Sequence, residues 1–163
     1  MKIPEDLRSP VNKALYRLSM GDMTCGEMQK YLSDPRRKNT GFPAETAERV
    51  VVFLVENGLL DDKRYLRLVV EKLDRALLGP RKIRETLTKH CFPTRYVEVA
   101  LGRKIDYTRR AFKLLGTRSG AAEQVKTVPG KKKLTDYLVR QGYDYSTATA
   151  AVNRFSESLG DSD

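Results

Sequence analysis

One short helical pattern is written three times in this chain, roughly 50 residues apart, and a chain so designed folds by stacking copies of itself. The first copy places Met28 and Leu32 on one helical face, then a loop, then Gly41-Phe42, then Ala47, Val50, Val51 and Leu54. The second places Ile83 and Leu87, then Cys91-Phe92, then Val97, Ala100 and Leu101. The third places Leu134 and Leu138, then Gly142-Tyr143, then Ala148, Ala151, Val152 and Phe155. Each i, i+4 pair marks one apolar stripe, and the positions five, eight and nine beyond the aromatic mark a second. A unit this small cannot bury its own apolar face, so neighbours must cover it. The pattern predicts an all-α protein of three tandem three-helix, helix-turn-helix-like repeats stacked into an elongated curved array. Their boundaries fall at residues 1–60, 61–104 and 105–156, with a disordered acidic tail at 157–163.

Local chemistry supports helices throughout. An opening helix spans Pro10 to Met20 and is broken by Gly21-Asp22. Thr24-Cys25-Gly26-Glu27 reads as a capping box at the start of the next helix. Val50 to Val55 is β-branched and apolar enough for a buried strand, but Ala44 to Arg49 enters it with helix formers and Asn57-Gly58 leaves it as a C-cap. Gly58 then stops that helix, an Asp of the Asp61-Asp62 pair caps the next, and Gly79-Pro80 presets a third. A new helix begins near Asp106, and Gly116 to Gly130 reads as the most mobile stretch of the chain.

The net charge is +10, and its distribution is uneven. Residues 81–140 carry 16 Lys and Arg against 5 Asp and Glu, whereas residues 1–80 carry 14 against 12. Such a block suits a phosphate backbone or an acidic protein groove; a basic face kept for solubility is the alternative. Arg81, Lys82 and Arg84 crowd a helix start, where cations oppose the helix dipole, so a local need for positive charge is implied.

Other classes find little support. The single histidine, His90, and the two cysteines, Cys25 and Cys91, have no metal-ligand spacing, so no metal, cofactor or catalytic constellation is expected. Asp61 and Asp62 are read as caps and His90-Cys91 as a plain turn. No apolar run approaches the roughly 20 residues needed to span a bilayer. Residues 1–12 lack a signal-peptide core, which points to a cytoplasmic protein with reduced thiols, and without a dimerisation helix a monomer is expected.

Gly58-Leu59-Leu60-Asp61-Asp62-Lys63-Arg64-Tyr65, followed by Gly79-Pro80-Arg81-Lys82-Ile83 and then Leu87, resembles the RecX family of bacterial recombination regulators. That family has a Gly-aliphatic-Leu-Asp-Asp-x-Arg-aromatic helix start, then a Gly-Pro-basic-x-Ile start, within three tandem three-helix repeats. The resemblance implies a non-enzymatic modulator, usually an inhibitor, of the RecA recombinase in DNA repair and recombination. It further implies binding in the groove of the RecA filament on single-stranded DNA, with ATP turnover, strand exchange and coprotease activity depressed. Three departures stand out: a long basic first-copy loop, Ala76-Leu77-Leu78 where a Gly-aromatic pair is expected, and Cys91 where the other copies have Gly41 and Gly142. Cys91 is therefore expected in the left-handed conformation that glycine adopts freely.

The implied contact residues for RecA and single-stranded DNA are Arg64, Arg67, Lys72, Arg75, Arg81, Lys82, Arg84, Arg109, Arg110, Lys131, Lys132 and Lys133. A free-standing helix-turn-helix DNA-binding protein or transcriptional regulator remains the competing reading. It is weakened by the lack of a helix with clustered side chains suited to base edges and of a dimerisation helix.

Overall fold

Apolar residues spaced three and four apart turn this chain into helices almost from end to end. The computed structural model describes residues 2–160, and among them there is no strand. A 3-10 turn at Glu5–Leu7 leads into α1 (Arg8–Leu18), α2 (Cys25–Ser33), α3 (Ala44–Glu56), α4 (Asp62–Arg75) and α5 (Pro80–Lys89). Then follow α6 (Thr94–Leu101), α7 (Tyr107–Gly116), the short α8 (Ala121–Gln124), α9 (Val128–Arg140) and α10 (Tyr145–Gly160). The β-branched run from Val50 is helical, with Val50 and Leu54 fully buried and Val52 half exposed.

The starts are fixed by side chains next to them in sequence. Thr24 Oγ1 accepts the Glu27 N–H at 3.0 Å while the Glu27 carboxylate accepts the Thr24 N–H at 2.9 Å, a reciprocal cap. Asp61 caps α4 through the Arg64 N–H at 2.9 Å, and Asp106 caps α7 through the Arg109 N–H at 2.8 Å. Pro80 is the first residue of α5, where its missing N–H costs nothing. Asp62 turns elsewhere and accepts the Cys25 N–H at the start of α2, at 2.8 Å.

The helices form two compact units. One runs to Val69 and includes Leu87–Val97; the other comprises Val70–Thr86 and the chain from Glu98 onward. The first is built on Val11, Ala14, Met28, Leu32, Ala47, Val50 and Leu54, all with no exposed surface. The second is built on Ala111, Leu115, Leu134, Leu138, Tyr143, Ala148 and Ala151. Burying a Leu or Val side chain of this kind stabilises by roughly 1.5–3 kcal/mol.

The three sequence copies share one turn. The N–H of the aromatic residue returns to the carbonyl of the second apolar residue each time: Phe42 to Leu32 at 3.0 Å, Phe92 to Leu87 at 3.1 Å, and Tyr143 to Leu138 at 3.2 Å. The residue before each aromatic is left-handed, with φ of +84° at Gly41, +55° at Cys91 and +95° at Gly142. Cys91 thus adopts the strained conformation expected of it. Leu77 does so too, at φ +52°, in the place where the family pattern has glycine.

Several expectations change. The opening helix starts at Arg8 and ends at Leu18, with Pro10 buried in its first turn. The stretch from Gly116 to Gly130 is not a bare loop, because Ala121 and Val125 are buried and α8 forms around them. Gly130 lies inside α9, its N–H held by Thr127 Oγ1 at 3.1 Å. Residues 157–160, expected within the tail, continue α10, and residues 161–163 lie outside the described residues.

Candidate functional site

The twelve expected contact residues separate by what their charges already meet. In the first unit, Arg64 is exposed and paired with Asp22 at 3.0 Å, while Arg67 is exposed with no ion pair among the described residues. In the second unit, Lys72 and Arg109 are likewise exposed and without an ion pair, and Arg75 is paired with Glu71 one turn away. Lys82 meets Glu85 at 3.4 Å and Arg84 meets Glu98 at 2.8 Å. Exposed pairs of this kind are worth at most about 1 kcal/mol and exchange readily for another anion.

Arg81 answers the question its position raised. Its guanidinium donates to the Val139 carbonyl at 2.6 Å, at the C-terminal end of α9, where a cation complements the helix dipole. The Gly79 N–H donates to the Gln141 carbonyl at 2.9 Å and the Arg81 N–H to the Gly142 carbonyl at 3.0 Å. The start of α5 is therefore seated on the turn that follows α9. No side chain fits there: a Cβ on Gly79 would collide with the Gly142 backbone, and one on Gly142 with Lys82.

Arg110 is a correction. Only 7% of it is exposed, and its guanidinium donates to Asp74 at 2.8 Å and to the Leu73 carbonyl at 3.0 Å. Asp74 also receives Arg103, at 2.6 Å. Burial pushes the Asp74 carboxyl up, but the hydrogen bonds from Arg103 and Arg110 outweigh it and hold the group below its ordinary value. A cation this buried and already paired with a carboxylate has a structural role.

Lys132 and Lys133 are exposed and Lys131 is half-buried, and none has an ion pair among the described residues. Sequence reasoning missed their aromatic neighbour. Tyr137 sits one turn beyond Lys133, with the Arg118 guanidinium 4.4 Å from its ring centroid. Tyr137 reads in sequence as one more apolar repeat position, and Arg118 falls in the stretch read as mobile.

The groups nearest to catalytic chemistry have structural work. Glu27 shares its carboxylate between its own cap and His90 Nδ1, at 2.8 Å, and the His90 ring lies edge-on to Tyr65. Both cysteines are free thiols; burial, with Asp62 beside it, pushes the Cys25 thiol up to about 12. No three His, Cys, Asp or Glu side chains converge among the described residues, and no described helix is long and apolar enough to cross a membrane.

No family model matches the chain. It is similar to proteins named regulatory protein RecX. That of Lactococcus lactis subsp. lactis strain IL1403 is 28% identical over 144 residues, covering 85% of this chain and 52% of the relative. That of Xanthomonas oryzae pv. oryzae strain MAFF 311018 is 27% identical over 146 residues, covering 89% and 88%. That of Xanthomonas axonopodis pv. citri strain 306 is 29% identical over 147 residues, covering 89% and 86%. The chain thus spans about half of the Lactococcus relative and most of the Xanthomonas ones. The match runs along most of the chain and agrees with the resemblance carried by the paired Gly-Leu-Leu-Asp-Asp and Gly-Pro-Arg-Lys-Ile helix starts: the chain is similar to RecX proteins over 85–89% of its length.

Proposed function

We propose that this chain is a non-enzymatic regulator, and specifically an inhibitor, of the RecA recombinase. It binds in the groove of the RecA filament on single-stranded DNA and so modulates repair, recombination and the SOS response. The observation that carries the reading is the similarity to RecX proteins; the exposed cations of α4, α7 and α9 supply the means. A filament groove presents both acidic protein and phosphate, and Arg67, Lys72, Arg109, Lys132 and Lys133 are exposed and unneutralised.

The framework in this reading is three tandem repeats, at residues 1–60, 61–104 and 105–156. One recurring seat supports it. Thr24 Oγ1 donates to the His90 carbonyl at 2.6 Å, as the Gly79 N–H does to the Gln141 carbonyl. Both donors begin the second helix of one copy, and both acceptors sit in the turn of the next. Gly26 lies against Cys91 as Lys82 lies against Gly142. In the first copy the same seat, at Gly41, is filled by Pro35 of the extra loop, as a terminal repeat requires.

The test is the single-stranded-DNA-dependent ATPase of the host's own RecA, with and without substoichiometric amounts of this protein. Suppression is expected. No effect across protein ratios and salt, together with sequence-preferring binding to naked duplex, would transfer the reading to a free-standing DNA-binding protein.

A further inference from the structure

We infer that the solvent face of α9 is a track for single-stranded nucleic acid, with the stacked Arg118–Tyr137 pair as a platform for one base. The inference deepens the direct DNA contact in the reading above and rests on it. Lys133, Tyr137 and Arg140 are spaced i, i+4 and i+7 and therefore share one face of α9. The span from Lys133 to Arg140 is about 10 Å at 1.5 Å per residue. That length suits two or three nucleotides at roughly 3.4 Å or more each.

The charge on this face is predominantly positive. Lys132, Lys133 and Arg140 are exposed and none is in an ion pair among the described residues. Asp136 is the one carboxylate that α9 contributes. At the C-terminal end of the helix, Arg81 is anchored to the Val139 carbonyl and lies 3.9 Å from Glu85, an exposed pair that exchanges readily for another anion, with 58% of the Arg81 side chain exposed. The fold thus joins two basic clusters, around Arg81 and around Lys132, that sequence keeps 50 residues apart.

The stack selects the partner class. Tyr137 is packed against the core of its unit, so its ring is fixed, and the Arg118 guanidinium lies 4.4 Å from the ring centroid while Arg118 remains exposed. A guanidinium centred over an aromatic ring offers a cationic, planar group on which an unpaired base can stack. An acidic peptide would use the cations but gain nothing from the platform. A duplex keeps its bases paired and out of reach.

The test is fluorescence anisotropy of a labelled oligothymidylate with the full chain, over a series of salt concentrations. Lys133→Ala with Arg140→Ala should weaken binding roughly tenfold at low salt. It should also make the log–log salt slope shallower by about 1.4, since each phosphate contact to a single strand contributes about 0.7. Arg118→Lys keeps the charge and loses the plane, so affinity should fall at least about fivefold with the slope unchanged. Circular dichroism melts check that each variant is folded. Parent-like binding by Arg118→Lys, an unchanged slope in the double variant, or equal competition by polyglutamate would each overturn the track. The same preparations are run in the RecA ATPase assay. Suppression without oligonucleotide binding overturns the track alone, whereas binding without suppression overturns the regulator reading alone.

Discussion

The Thr24 hydroxyl does two jobs at once, accepting the Glu27 N–H at 3.0 Å and donating to the His90 carbonyl at 2.6 Å across 66 residues of sequence. Thr24 is completely buried, so removing its hydroxyl takes a hydrogen-bond partner from two backbone groups at once. Thr24→Ala should therefore cost about 2 kcal/mol, more than an exposed cap, and Thr24→Ser should recover most of it. Urea denaturation of the three proteins measures this, and a loss under about 0.5 kcal/mol would rule out the coupled role.

Cys91 is a side chain in a glycine's conformation, at φ +55°. Cys91→Gly should stabilise the protein by about 1 kcal/mol, because the left-handed penalty is removed. A lower melting temperature would show that the Cys91 side chain contributes packing that outweighs the strain.

The reverse change at the matching turn should be severe. Gly142 has φ +95° and no room for a Cβ beside Lys82. Gly142→Ala combines backbone strain with overpacking and should cost about 3 kcal/mol. An unchanged denaturation midpoint would mean that the α5 start is not held on this turn.

Asp74 binds two arginines, one of them buried, and its carboxyl is held below the ordinary carboxylate value. A depressed folded-state value means that the unfolded chain binds the proton first. The stabilisation is therefore complete above about pH 4, near the ordinary aspartate value, and is lost as pH falls through the folded value. Asp74→Asn should lower stability at neutral pH by about 3 kcal/mol, because buried Arg110 loses its counter-charge. The variant's acid denaturation profile should also be flatter. Equal acid sensitivity in both proteins would place the titrating group elsewhere.

Two triple variants separate contact from structure. Lys131, Lys132 and Lys133 have no ion pairs among the described residues, so their joint replacement by Ala should weaken RecA inhibition and leave the melting temperature nearly unchanged. Arg81, Lys82 and Arg84 include the Val139 anchor and the Glu98 pair, so their replacement should weaken inhibition with a measurable loss of stability. Full inhibition by either folded variant removes those three residues from the interface.

What the sequence by itself determined is what short-range chemistry controls. The Thr24–Glu27 box, a cap from the Asp61-Asp62 pair, the helix start near Asp106, the buried i, i+4 pairs and the left-handed Cys91 each depend on neighbours within a few residues, and all are legible. Tertiary structure alone decided which charges are free. Arg110 looks like Arg109 in sequence, yet it is buried against Asp74, 36 residues away. Arg81 looks like a surface cation, yet it anchors to Val139, 58 residues away. Residues 121–125 look like linker, yet Ala121 and Val125 find a core to enter. A backbone hydrogen bond is settled by the local turn, whereas the fate of a long charged side chain depends on which distant carboxylate or carbonyl the packed helices bring within its reach.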